Sequence, residues 1–320
     1  VRDVVVIPSP GRHANAEEWL AHRAVDGPVD LGDGVMLERL RGDEADLAEQ
    51  VIHAALPRGQ NFEPVRQFGQ MYSFWRDVPV TEWSADNERP LFHWDTTQAI
   101  TEAVFLSRFV LDNGYSLEYA GRVIDRSDGH RRICPLTGHE ARLAYRARKS
   151  RFWFTDGETA ELRTFLDRYR AAKNVLPQRV KRAIFQAEAS AQSRYLSDAV
   201  AHITTGLEAL LNTDEQAQIT AQFVKRSKQI ADEFGIDGTS HTYWTWIYNA
   251  RSKVVHGAEI ELVAPEGWYE NDEDPPDDVK KIAKAQDVLR AAIRRAIEDE
   301  DFRAVFESND AITARWPLPA

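Results

Sequence analysis

The chain has a single cysteine, Cys134, in 320 residues. That excludes an intrachain disulfide and any zinc site built from several cysteines. It also lacks any apolar run near the roughly 18 residues that a membrane-spanning helix requires. Val1–Pro10 lacks the basic-then-apolar pattern of a secretory leader. No internal repeat, glycine-rich phosphate loop or serine nucleophile elbow occurs. Net positive charge is missing as well, since 40 basic side chains stand against 51 acidic ones. A surface that acidic does not wrap a duplex or an anionic membrane, so any nucleic-acid contact has to be local. Together these absences predict a soluble, cytoplasmic chain with no membrane partner.

Apolar residues are plentiful, at 43% against 28% charged, which is a globular composition, and the length suits two domains. Charge is unevenly spread. Residues 1–120 hold 10 basic and 20 acidic side chains, 121–176 hold 13 and 7, 177–260 hold 9 and 9, and 261–310 hold 7 and 15. Short β-branched or aromatic runs predict strands at Val4–Ile7, at Val35–Leu40 after the Gly32-Asp33-Gly34 turn signal, at Met71–Trp75 and at Arg151–Phe154. Thr96–Leu111 fits either a helix or a buried strand.

From residue 158 the period becomes helical. Thr159–Lys173 places Leu162, Phe165, Leu166 and Tyr169 on one face, with Thr155 or Asp156 as cap. Arg179–Leu211 follows Pro177 almost free of breakers, with an apolar stripe of Ile203, Leu207, Leu210 and Leu211. Further helices are expected from the Thr213-Asp214 cap signal to Gly235, over Ser240–His256 with Gly257 as the stop, and over Asp278–Glu298. Glu266–Asp278, with seven acidic residues and Pro275-Pro276, reads as an exposed loop. The expected fold class is α+β, a mixed strand-containing domain over 1–157 followed by an all-α bundle over 158–320.

One helix combines groups suited to phosphate chemistry. Tyr243 to Gly257 is rich in aromatics and ends with Arg251 and His256. A helix sets two residues five positions apart at about 140° and about 7.5 Å along the axis, so they form no tight pair within one chain. Each has its own structural partner, or both meet one ligand, or a second copy completes the group. Histidine exchanges protons near neutrality, and arginine offers a fork of donors to phosphate. Together they can activate a ribose 2′-hydroxyl and stabilise charge at phosphorus without a metal. The plainer alternative is that both brace the bundle.

Glu208 lies on the apolar stripe, where a carboxylate needs a partner, and either role for Arg251 predicts contact between them. Lys225, Arg226 and Lys228 could guide RNA or simply form a solvated face. The block Arg122–Arg151, with nine basic residues, His130 and His139, could follow a phosphate backbone or dock onto acidic segments of the same chain. His130-x3-Cys134-x4-His139 offers only three ligands at a spacing unlike known zinc sites, and His93-Trp94-Asp95 lacks a nucleophile to complete it. A DNA-reading regulator is disfavoured by the charge and by the lack of a convincing recognition helix.

Arg251-Ser252-Lys253-Val254-Val255-His256-Gly257 resembles the Arg-x4-His signature of HEPN domains, and its RSxxxHG form is similar to the ApeA-like branch of that superfamily. Gly206-Leu207-Glu208-Ala209-Leu210-Leu211 upstream adds to the likeness, which covers roughly residues 178–300. The resemblance implies a metal-independent endoribonuclease, needing no cofactor, of the kind found in toxins and phage defence. Its site would form at a homodimer made through the helical domain, with RNA as partner and a trigger acting on the amino-terminal domain. His256 would be the acid/base group and Arg251 the phosphate clamp. Ser252, Glu208 and Asn249 would support them, and Lys253, Lys225, Arg226 and Lys228 would contact RNA. Ala258 stands where the toxins paired with nucleotidyltransferases carry tyrosine, which argues against that antitoxin mechanism. The alternative within the same resemblance is a non-catalytic interaction or ligand-binding module.

Overall fold

The computed structural model describes residues 2–8, 27–55, 71–77, 94–111, 113, 115, 120–125, 129–135, 154–193, 195–213, 219–256 and 277–318. They form two compact units, one ending at Asp167 and the other beginning at Arg168. Among the described residues there are ten helices and one antiparallel sheet of six strands, an α+β chain. No described helix is long and apolar enough to cross a membrane.

The first unit is built on strands β1 (Arg2–Pro8), β2 (Val29–Asp30), β3 (Val35–Leu40), β4 (Met71–Asp77), β5 (Gly121–Asp125) and β6 (Arg131–Pro135). Their order in the sheet is β2-β3-β4-β1-β5-β6, so β1 is central, with Val6 opposite Trp75 on β4 and Gly121 on β5. Helix α1 (Asp43–Ala55) covers one face, packing Ala45, Leu47, Ala48, Val51 and Ile52 against Val4, Val6, Leu40 and Val123. Helix α2 (Trp94–Ser107) packs against β3 and β4, and Phe74 meets Tyr115 edge to face at 4.8 Å. Side chains alternate between faces, and all four residues of Val4–Ile7 are buried, so both faces of β1 are covered there, which explains an unbroken apolar run. Gly32, Asp33 and Gly34 take φ of 87°, 52° and 72° between β2 and β3, a turn in which glycine relieves the left-handed strain. Gly121 is required for another reason, since a Cβ there would sit 2.7 Å from Val51 Cγ1 on α1.

Helix α3 (Asp156–Ala172) opens on a reciprocal cap, the Thr155 N–H donating to Glu158 Oε2 at 2.9 Å and the Glu158 N–H to Thr155 Oγ1 at 3.3 Å. The second unit holds α4 (Gln178–Gln192), α5 (Leu196–Leu211), α6 (Ile219–Glu233), α7 (His241–Val255), α8 (Asp277–Glu298), α9 (Glu300–Ala304) and α10 (Asn309–Arg315). Arg179 donates to the Ala209 and Asn212 carbonyls at 3.1 and 2.6 Å, while Gln186 meets His202 at 2.8 Å, so α4 and α5 run antiparallel. The apolar side of α8, from Val279 to Ile297, packs against α4, α5, α6 and α7. Phe302, Phe306 and Trp316 then close the carboxy-terminal turns against one another.

The uninterrupted stretch expected over Arg179–Leu211 is two helices, because Ser193 leaves α4 in an extended conformation with ψ of 132°. Helix α1 and strands β5 and β6 had no counterpart in the sequence reading. Thr96–Leu111 resolves as helix, ending in a turn after Ser107. His93, His139, residues 136–153, Asp214, Gly257 and the acidic segment 266–276 lie outside the described residues.

Candidate functional site

Helix α7 is fixed at both ends and along one side. Ser240 Oγ accepts the Tyr243 N–H at 3.2 Å as N-cap. Tyr243, Trp244, Ile247 and Ala250 are buried at helical spacing, and Phe223 of α6 packs against Trp244 and Tyr248 at ring distances of 6.0 and 5.3 Å. That rotation leaves Asn249, Lys253 and His256 exposed, with Arg251 and Ser252 at the boundary. The helix ends where the His256 N–H donates to the Ser252 carbonyl at 3.1 Å, so the imidazole is carried on its solvent-facing cap residue.

Glu208 reaches this helix from α5, flanked along its own chain by buried Leu207 and Leu210. Its Oε2 lies 3.4 Å from Arg251 Nη2, with side chains 15% and 26% exposed respectively. This is the contact that a carboxylate on an apolar stripe demands. Burial pushes the Glu208 carboxyl above its ordinary range, while the positive charges of Arg251 and Arg182 pull it down and only partly offset that shift. Arg251 Nε is buried and has no hydrogen-bond partner among the described residues. The guanidinium is thus steered by one carboxylate without having all its donors engaged.

The remaining candidates separate. Arg226, expected on an RNA-guiding face, is only 1% exposed. Its guanidinium donates to the Leu211 and Trp316 carbonyls at 2.7 and 3.1 Å, to Gln222 Oε1 at 3.0 Å and to Thr313 Oγ1 at 3.1 Å. Arg226 therefore ties α5, α6 and the carboxy-terminal segment together, and it is unavailable to RNA. Lys228 pairs with Asp232 one turn on, and Lys225 is half-buried on the same helix.

Arg182 escaped the sequence reading. It projects from α4 between the Arg179 and Gln186 contacts to α5, opposite the stretch that bears Glu208. Its signal was available only once α4 and α5 were known to be antiparallel.

Within one chain, the helical geometry still holds Arg251 and His256 about 140° apart, on successive turns. Chemically the pair offers a fixed positive donor and an accessible proton carrier that converge only on a ligand long enough to span them, or across two copies. Comparison with protein-family models, with curated proteins and with solved structures finds no match.

Proposed function

We propose that the second unit is a HEPN-type, metal-independent endoribonuclease, restrained until a trigger acts on the first unit. The observation that bears most weight is the Arg251 guanidinium, oriented by Glu208 at 3.4 Å and part-exposed, on the same helix end as the exposed His256. A brace alone calls for no accessible imidazole beside it. In the proposed reaction one His256 takes the proton of a ribose 2′-hydroxyl, and that oxygen forms a bond to phosphorus as the bond to the 5′-oxygen breaks. The same residue of a second protomer protonates the leaving oxygen, and Arg251 stabilises the charge on the phosphoryl oxygens. The separation of about 140° is accommodated by a homodimer through the helical unit, in which a second copy completes the group. Both that dimer and phage defence by RNA cleavage are what the resemblance implies.

The second reading, a non-catalytic interaction module, draws on the same Glu208–Arg251 pair as a structural brace. The two are separated by incubating purified protein with mixed RNA in EDTA beside Arg251→Ala and His256→Ala variants of unchanged melting temperature. Cleavage lost in both variants supports the enzyme, and no cleavage by the wild type, with or without cell extract as a source of trigger, supports the module. Light scattering tests the dimer independently, since a strictly monomeric chain cannot build a shared site.

A further inference from the structure

Phe185 is 63% exposed on α4, one of the few large apolar side chains of the described chain left in solvent. Residues three apart on a helix are surface neighbours, so Phe185 lies beside Arg182. Arg179 is engaged with the Ala209 and Asn212 carbonyls, which leaves Lys181 and Arg182 as the exposed cations of this stretch of α4. The antiparallel register carries the same strip past Glu208, and Glu208 is in contact with Arg251. An aromatic face, two exposed cations and the candidate phosphate clamp therefore follow one another across α4, α5 and α7.

We propose that Phe185 and Arg182 form a nucleotide subsite beside the Glu208–Arg251 pair, Phe185 stacking on an unpaired base and Arg182 holding the adjoining phosphate, so that the substrate class is single-stranded RNA. Each base presents a π-face, so an exposed aromatic ring grips an unpaired strand with little regard for sequence, whereas a duplex hides those faces. The flanking positive charge selects a polyanion over an apolar protein partner at this ring. The assignment rests on the nuclease reading for the chemistry that follows, while the binding step stands by itself.

The test uses the full-length protein carrying His256→Ala, with a fluorescein-labelled single-stranded RNA of mixed sequence followed by anisotropy in EDTA. The same RNA annealed to its complement is the control. Phe185→Ala is expected to weaken single-strand binding about tenfold, the size of one lost stacking contact. Phe185→Trp is expected to retain it, and Arg182→Gln to weaken it and flatten its salt dependence. Phe185 is exposed, so unchanged melting temperatures are expected for its variants.

Equal binding of single strand and duplex, an unaffected Phe185→Ala, or no binding at all overturns the subsite. So does a Phe185→Ala variant that dissociates a wild-type dimer while keeping its RNA affinity, because the ring is then a protein contact. Cleavage by the otherwise wild-type chain is scored separately. Loss of the subsite with cleavage intact spares the nuclease reading, and Phe185-dependent binding without cleavage spares the subsite.

Discussion

Glu208 and Arg251 meet across α5 and α7 at 3.4 Å, each with most of its side chain withdrawn from water. Neither charge is stable there alone, so each fixes the other, and the helix that bears His256 is held in rotation as a result. A double-mutant cycle of Glu208→Gln and Arg251→Gln should give a coupling of about 1 kcal/mol, below that of a fully buried pair because both side chains retain some solvent. Urea unfolding of the four proteins measures it, and strictly additive losses would show that the contact does not matter.

The raised Glu208 carboxyl sets a pH dependence. Burial makes the folded chain bind its proton more tightly than the unfolded chain does. Stability contributed by this group is therefore greatest below the ordinary carboxylate pKa and declines as pH rises through the raised value. As pH rises above about 4, the ordinary carboxylate range, the Glu208→Gln variant should show a flatter stability profile than wild type. Coincident profiles in parallel denaturation series would contradict the assignment.

Arg226 predicts a structural phenotype. Arg226→Ala removes donors to the Leu211 and Trp316 carbonyls and leaves both buried acceptors unpaired. The expected cost is about 2–5 kcal/mol, from two buried acceptors at about 1–3 kcal/mol each, and lysine rescues little because a single ammonium cannot reproduce the fork. Thermal and urea unfolding provide the measurement; a variant of wild-type stability would refute the tie between α5, α6 and the carboxy-terminal segment.

Gly206 lets α5 pack closely against α8 and α4. A Cβ there would lie 2.9 Å from Leu289 Cδ2 and 3.3 Å from Gln186 Cβ. Gly206→Ala should destabilise by about 1–3 kcal/mol, the overpacking cost outweighing the gain in helix propensity. A rise in melting temperature would show that α8 yields at this point.

Legibility in the sequence followed the range of the interaction. Val4–Ile7 and the aromatic side of α7 were readable because apolar runs and helical spacing are local signals. The Glu208–Arg251 contact was readable because a carboxylate on an apolar stripe has to find a cation. Arg226 was not, since its acceptors at Leu211 and Trp316 lie 15 and 90 residues away and are backbone carbonyls, which carry no sequence mark. The break between α4 and α5 was hidden for a similar reason. Gln192-Ser193-Arg194-Tyr195 contains neither glycine nor proline, so packing, not propensity, turns the chain there. Strands β5 and β6 are only five residues each and include four arginine or aspartate side chains, which blurs their alternation.

RNA cleavage in EDTA by wild type, Arg251→Ala and His256→Ala, with cell extract supplied in parallel as a source of trigger, tests the central assignment most directly. The nuclease account predicts cleavage by the wild type and its loss in both variants, each folded to the same melting temperature. Undiminished cleavage by His256→Ala, or none by the wild type in either condition, would contradict it.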